Sequence, residues 1–318
     1  MANGLIANAI AAETIATDAA GATAVDAKGF SRSMPDMISG LDHTVILVRD
    51  IEAGVAGYQA LLGRAPAWRA QKDGVATAIF SLANTSLELM APATKGEGAD
   101  RVRSVLDAQG EGLASIAFAV DDIDAARHRL ARLGLSPSDV SDGESSDLGS
   151  GRTMTWKRIR TASEVTGGVR LFFLQRMERF APSPLTEGAP IDALDHIVLA
   201  TPDPERAAAL YGARLGLDMR LDRTVATLQT RFLFFRTGGV VFEIIHGLKN
   251  GRGDGPDAFF GLSWRAADLE ATRARLQRSG FDVSDPREGR KPGSRVFTVR
   301  KGTFGVPTLV IQQGAQAE

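Results

Sequence analysis

The chain states one stretch twice. Leu41-Asp42-His43-Thr44-Val45-Ile46-Leu47 returns as Leu194-Asp195-His196-Ile197-Val198-Leu199-Ala200, the two histidines lying 153 positions apart. In both copies an aspartate follows seven positions after the His (Asp50, Asp203), and a helical pattern then ends at Leu-Gly (Leu62-Gly63, Leu215-Gly216). Some 45 residues beyond each His stands a glutamate in apolar sequence: Glu88 between Leu87 and Leu89, Glu243 between Phe242 and Ile244. A carboxylate inside an apolar strand is costly unless something pairs with it. Any fold for this chain must therefore place the same ionisable couple twice, on two strands each time.

The first unit reads β-α-β-β-β. His43–Val48 is β-rich, Asp50 caps a helix over Ile51–Leu62 that Gly63 stops, and short strands follow at Trp68-Arg69, Ala76–Leu82 and Ser86–Met90. A second unit opens at Gly112 with a strand Ser115–Val120. Asp121-Asp122 then leads a helix Ile123–Leu133 with Gly134 as its stop, and strands Met154–Arg158 and Val169–Gln175 come after. The Ser-, Gly- and Asp-rich stretch Ser136–Arg152 reads as a mobile loop. Units three and four repeat one and two: strand His196–Ala200, helix Pro204–Leu215, strands near Met219–Leu221, Thr230–Arg236 and Val240–Ile245, then strand Gly261–Arg265, cap Asp268 and helix Leu269–Ser279. Asp122 and Asp268 are 146 positions apart, and so are Gly134 and Gly280. The organisation is A-B-A′-B′, broken by Phe180–Pro190 with its three prolines.

Composition bounds the partners. The 318 residues suffice for about two domains. Hydrophobic content of 44% supports a full core, and a formal net charge of −1 without a basic run argues against nucleic acid or a membrane surface as partner. With no cysteine there are no disulfides, thiolate metal sites or thiol catalysis, and a reducing, cytoplasmic setting is expected. No apolar run approaches the ~20 residues of a spanning helix. Residues 1–38, rich in Ala, Thr, Gly and Asp and lacking a basic start, read as a mobile tail with a transient helix around Ile10–Ala20 and without a signal peptide.

Four β-α-β-β-β modules, with His on the first strand and Glu on the last strand of modules one and three, resemble the vicinal oxygen chelate superfamily. Glyoxalase I, methylmalonyl-CoA epimerase, extradiol ring-cleaving dioxygenases and the bleomycin and fosfomycin resistance proteins belong to it. The resemblance covers roughly residues 40–315. It implies an α+β fold of two cupped, barrel-like sheets, each from neighbouring modules: residues 39–178 for the first domain, 179–191 as linker and 192–315 for the second.

The resemblance also implies a divalent metal (Fe, Mn, Ni or Zn) inside a cup, held by a facial set of at least two His and one carboxylate or a four-ligand equivalent. Carried over residue by residue, the ligands are His43 with Glu88 and His196 with Glu243, and either glutamate can double as catalytic base. Modules two and four depart from the pattern. Ser115 and Gly261 stand where a second His is expected, and Phe172-Phe173 and Leu309-Val310 where a second Glu is expected. A cup of adjacent modules then has two ligands; a full set requires module one to meet module three, whereas neighbouring modules usually pair. Read from the residues alone, the two His–Glu couples are equally well buried hydrogen-bonded pairs. His246 is a further ligand candidate and gives the second cup the stronger claim, although three residues after Glu243 it falls on the opposite face of a strand.

Arg231 within Phe232-Leu233-Phe234-Phe235 faces a polar cavity or snorkels to an edge. Arg152 and Arg295, at matching places in the two halves, are anion-binding candidates, and the Arg- and Gly-rich Arg287–Arg295 reads as a solvated connection able to hold a carboxylate or phosphate. Trp156 and Trp264 read as core first, with Trp264 kept among the substrate-binding candidates. His128 reads as solvated.

No Gly-rich phosphate loop and no Gly-x-Ser-x-Gly elbow is present. The reading reached is a metal-dependent lyase or isomerase of glyoxalase type acting on a small oxygenated substrate. An extradiol-type ring-cleaving dioxygenase and a metal-free small-molecule binding or resistance protein are the alternatives. Exposed strand edges are compatible with a homodimer.

Overall fold

The computed structural model describes residues 37–314, so the tail expected over 1–38 lies outside the described residues except for Met37 and Ile38. The first half carries β1 (Gly40–Leu47), α1 (Ile51–Leu62), β2 (Trp68–Lys72), β3 (Val75–Ser81), β4 (Ser86–Pro92), α2 (Glu97–Gln109), β5 (Gly112–Ala119), α3 (Ile123–Arg132), β6 (Ser141–Ser146), β7 (Thr153–Arg160) and β8 (Leu171–Arg176). The second carries β9 (Ile191–Ala200), α4 (Pro204–Ala208), β10 (Asp218–Val225), β11 (Thr230–Thr237), β12 (Val240–Gly247), β13 (Ala258–Ala266), α5 (Leu269–Arg278), β14 (Arg287–Glu288), β15 (Arg295–Val299) and β16 (Thr308–Gln312).

Each half forms one mixed eight-stranded sheet, ordered β2-β3-β4-β1-β5-β8-β7-β6 and β10-β11-β12-β9-β13-β16-β15-β14. The joint between modules is the antiparallel pair of their first strands, β1 with β5 and β9 with β13. Neighbouring modules therefore share a sheet, and modules one and three stand in different ones.

Repeat aspartates set the helix starts. Asp50, Asp122 and Asp203 each accept two first-turn amides, and Asp268 accepts the amide of Ala271. The side chains of Gln175 and Gln312 accept a further amide at the starts of α3 and α5, tying each helix to the last strand of its module. Gly63 ends α1 in the left-handed region at φ 67, where only glycine avoids a steric cost.

Three local expectations need correction. The polar stretch Ser136–Arg152 contains a strand, β6, paired along its whole length with β7 at the sheet edge. An edge strand with both faces wet carries no apolar alternation, which hid it. Helix α2 fills a stretch to which the sequence pattern assigned no element; its buried residues Ala99, Val102 and Leu106 follow helical spacing, behind two glycines, Gly96 and Gly98, that weaken the start of the pattern. The helix expected over Pro204–Leu215 is α4 followed by a π-helical turn, Ala209–Arg214. The proline-rich connection is packed rather than free: Ser183 Oγ accepts from the amide of Ser81, and Arg64 bridges to Leu185.

The helix-bearing faces of both sheets merge into one core, with Phe118 of β5 and Phe242 of β12 5.5 Å apart between ring centres. Buried Arg275 fastens the halves, donating from α5 to the carbonyls of Ala60 and Leu61 at the end of α1 and of Ala189 before β9. Among the described residues no helix is long and apolar enough to cross a membrane. The other face of each sheet curves into a cup, and there the two halves differ.

Candidate functional site

In the first cup, His43 on β1 stands beside Glu88 on β4, with Nε2 3.2 Å from Oε2. Its other nitrogen, Nδ1, lies 2.5 Å from Oδ1 of Asp42. Adjacent strand residues normally point to opposite faces. Here the β1–β5 register slips between Leu41 and His43, so Asp42 is the extra residue of a bulge and its carboxylate reaches the histidine ring. Arg176, at the end of β8, completes the chain: Nε donates to both Asp42 oxygens at 3.0 and 2.9 Å. Burial alone would lower the affinity of His43 for its proton, but the hydrogen bonds and charges of Asp42 and Glu88 outweigh it and raise its pKa to about 9. Burial likewise works against the Asp42 anion, and His43 with Arg176 holds its pKa below the usual value. At neutral pH the His43 ring is an imidazolium, backed by the Asp42 carboxylate.

The second cup repeats the dyad. His196 Nδ1 lies 3.0 Å from Asp195 and Nε2 3.5 Å from Glu243. The register slips again opposite Asp195, and Gln313, one residue past Gln312 as Arg176 is one past Gln175, donates to Asp195 at 2.6 Å.

What surrounds the dyads separates the cups. A cavity of ≈ 370 Å³ opens over the first, lined by His43, Glu88, Ser115, Trp156, Arg158 and Phe172 among others. On β3, Thr77 and Ile79 pair with Met90 and Glu88 and face the same side. At the same register in the second cup, Phe232 and Phe234 pair with Ile245 and Glu243. Those two rings stack at 6.3 Å and pack with Val198 and Ile245 over the dyad, and His196 and Glu243 are buried beneath. The larger claim expected for the second cup therefore passes to the first.

The remaining candidates separate cleanly. His246 is buried on the face away from Glu243, its Nδ1 donating to the carbonyl of Thr201 at 3.0 Å, so it does not join the dyad. Arg231 shares that face, paired with Asp222 and Glu205, and does not enter the cup. Arg152 pairs with Glu178 and Arg295 with Glu270 on the surface, and Arg287–Arg295 forms the β14–β15 edge hairpin. Trp264 is core, at 1% exposure. Trp156, read as core, instead lines the first cavity and stacks on Arg176, the guanidinium carbon 4.9 Å from its ring centre. Sequence reasoning missed Arg176 and the role of Asp42; the only signal was the Asp before each His.

The metal set does not assemble. Ser115 and Phe172 do line the first cavity with His43 and Glu88, as the pattern requires, but neither supplies a His or a carboxylate. Among the described residues no group of three His, Cys, Asp or Glu could hold an ion. Two strong donors per cup fall short of the three or four that a first-row cation takes.

Comparison with known proteins gives concordant matches. A family model described as "Glyoxalase-like domain" matches residues 41–191, and one described as "Glyoxalase/Bleomycin resistance protein/Dioxygenase superfamily" matches residues 195–298. An ethylmalonyl-CoA/methylmalonyl-CoA epimerase of Cereibacter sphaeroides is 38% identical over 100 residues, 31% of this chain and 73% of the epimerase. Among solved structures, a mutant 4-hydroxymandelate synthase from Streptomyces coelicolor superposes with a TM-score of 0.62 at 15% identity, covering 88% of this chain and 94% of that one. The Mn(II)-bound glyoxalase from Novosphingobium aromaticivorans gives 0.59 at 15% identity, covering 87% and 82%. At such identities these two structures speak for the fold alone.

Proposed function

This chain belongs to the vicinal oxygen chelate superfamily of glyoxalase, bleomycin resistance and dioxygenase proteins, and from that premise we propose that its first cup binds a small oxygenated molecule and moves a proton on it without a metal. The observation that carries the reading is the chain Arg176–Asp42–His43–Glu88 ending on a cavity of ≈ 370 Å³. That volume is at the small end of ligand sites.

Glu88 is the group able to act. Its side chain keeps 19% of its surface open towards the cavity, while His43 is held from behind by Asp42. A carboxylate in this position can take a proton from carbon next to a carbonyl and return it, the balance of an isomerase or epimerase. His43 Nε2, 3.2 Å from Oε2, holds the Glu88 carboxyl in place, and Arg158 on the same cavity wall can face the oxygen on which charge develops. Ring cleavage and metal-assisted lyase chemistry draw no support from this donor set. The lack of cysteine supports a reducing, cytoplasmic setting.

The test is deuterium uptake. The whole protein is incubated in D₂O with short 2-oxo acids and with acyl thioesters, and exchange at the adjacent carbon is followed by NMR. Uptake by the wild-type chain that disappears in Glu88→Gln supports the reading; equal uptake in both, or none with any compound, overturns it. Sequestration without turnover is the second reading, favoured by the aromatic walls Trp156, Phe172 and Phe180, and tight binding without exchange would select it.

A further inference from the structure

Arg176 is held more elaborately than a tether for Asp42 needs. Its guanidinium carbon lies 4.9 Å from the ring centres of both Trp156 and Phe180, and its Nε is taken by Asp42. The side chain is only 10% exposed, and Nη1 is buried with no hydrogen-bond partner. A buried guanidinium N–H without an acceptor is expensive, and the structure around it offers none.

The second half shows what the tether alone requires. Gln313 occupies the matching place and donates to Asp195 at 2.6 Å, with no spare cationic N–H. Glutamine serves where the cup is filled by Phe232 and Phe234; arginine stands where the cup is open.

The charges point the same way. At the rim, Arg101 pairs with Asp73 at 3.2 Å and Lys72 with Glu144 at 3.4 Å. Inside, the guanidiniums of Arg158 and Arg176 line the cavity with Glu88 as the one carboxyl outside those rim pairs, which leaves one fixed positive charge over. Apolar side chains such as Val45, Ile79, Met90 and Leu174 make up much of the remaining wall.

The geometry points to Arg176 as the specificity-determining residue of the first cup, and to a ligand that is a monocarboxylate with an apolar body, its carboxylate received by Nη1. This rests on the first cup being the ligand site but not on any catalytic role for Glu88. Arg176 also borders a cleft of ≈ 590 Å³ between the halves, beside Arg64 and Arg179. Trp156, which covers one face of the guanidinium, lines the cup and not the cleft.

The experiment compares phenylacetate with phenylacetamide on the whole protein by calorimetry, with the His43 ring resonance reporting occupancy of the cup. The wild-type chain is expected to bind the carboxylate about tenfold tighter than the amide, the worth of one charge-assisted hydrogen bond. Arg176→Gln, which copies the second half and so keeps the tether, is expected to erase that preference, and Arg176→Lys to keep part of it. Occupancy of the cup with no preference in the wild type, or a preference that survives in Arg176→Gln, overturns the assignment while the cup remains the ligand site. Binding that depends on Arg179 and leaves His43 unmoved overturns it in favour of the cleft. Failure of both probes to reach the cup overturns it together with the proposed site.

Discussion

Nδ1 of His43 lies 2.5 Å from the carboxylate of Asp42, the residue before it in the chain, because a bulge turns the two to the same side of β1. With Glu88 on the other nitrogen, the ring holds its proton up to about pH 9, against 6.5 for an ordinary histidine. A pKa raised by folding contributes stability that is complete below pH 6.5 and is lost as the pH rises through 9. The contribution is roughly 3 kcal/mol. Urea unfolding between pH 6 and 10 is therefore expected to show wild-type stability falling over this window, with His43→Gln nearly flat there, and an NMR titration of the ring should give the same midpoint.

Glu88 supplies the other half of that field. Replacing it by glutamine removes one of the two carboxylates facing His43, and the ring pKa is expected to fall by about one unit or more. Proton exchange on the substrate is expected to fall by about 10²–10⁴-fold, the usual worth of a general base. Asp42→Asn should lower the ring pKa as well yet leave the base in place, with a smaller loss of exchange. Comparing the two variants by titration and by deuterium uptake separates the base from its support.

The repeat carried much of this into the sequence. Four module starts, four capping aspartates and the His–Glu couples were legible because each rests on local pattern and was stated twice. The sheet architecture also followed, since chains of such modules close neighbour against neighbour. What stayed hidden depended on register. That Asp42 shares a side with His43 follows from a slip between strands about 75 residues apart, Leu41–His43 against Ala117–Phe118, and no residue announces it. Arg176 meets Asp42 only through the sheet order, 134 positions away in the chain. Edge strand β6 escaped because an exposed strand needs no apolar face. The choice between cups lay in Phe232 and Phe234, visible in the sequence but given meaning only by their pairing with Ile245 and Glu243.

That pairing makes the open cup easy to close. Thr77 faces Met90 as Phe232 faces Ile245. Thr77→Phe is expected to fill the cavity beside Glu88, abolishing probe binding and exchange while the cooperative unfolding transition is kept. The reverse change, Phe232→Thr, removes a buried ring from the second cup and should cost about 3–5 kcal/mol. It exposes His196 and Glu243 without supplying an arginine at Gln313, so no carboxylate preference should appear. Calorimetry and denaturant unfolding of the two variants check both statements, and a Thr77→Phe chain that still binds would place the ligand elsewhere.

The departures at Ser115 and Phe172 lead to the last expectation. Both side chains already line the cavity with His43 and Glu88, so the backbone presents four positions towards one point and the chain fills two of them with strong donors. Purified without chelator, the protein is expected to carry well under one divalent ion per chain by elemental analysis, and His43→Ala should not change that content. Ser115→His with Phe172→Glu restores a two-His, two-carboxylate set of the kind that Zn(II), Mn(II) or Fe(II) accepts. That double variant should take up about one ion per chain, and since such ligands bind metal only when deprotonated, loading should release protons and abolish the high-pH titration of His43. A wild-type chain that already holds a full equivalent would mean that a hydroxyl or solvent completes the site and that the proton transfer assigned to Glu88 proceeds beside a metal after all.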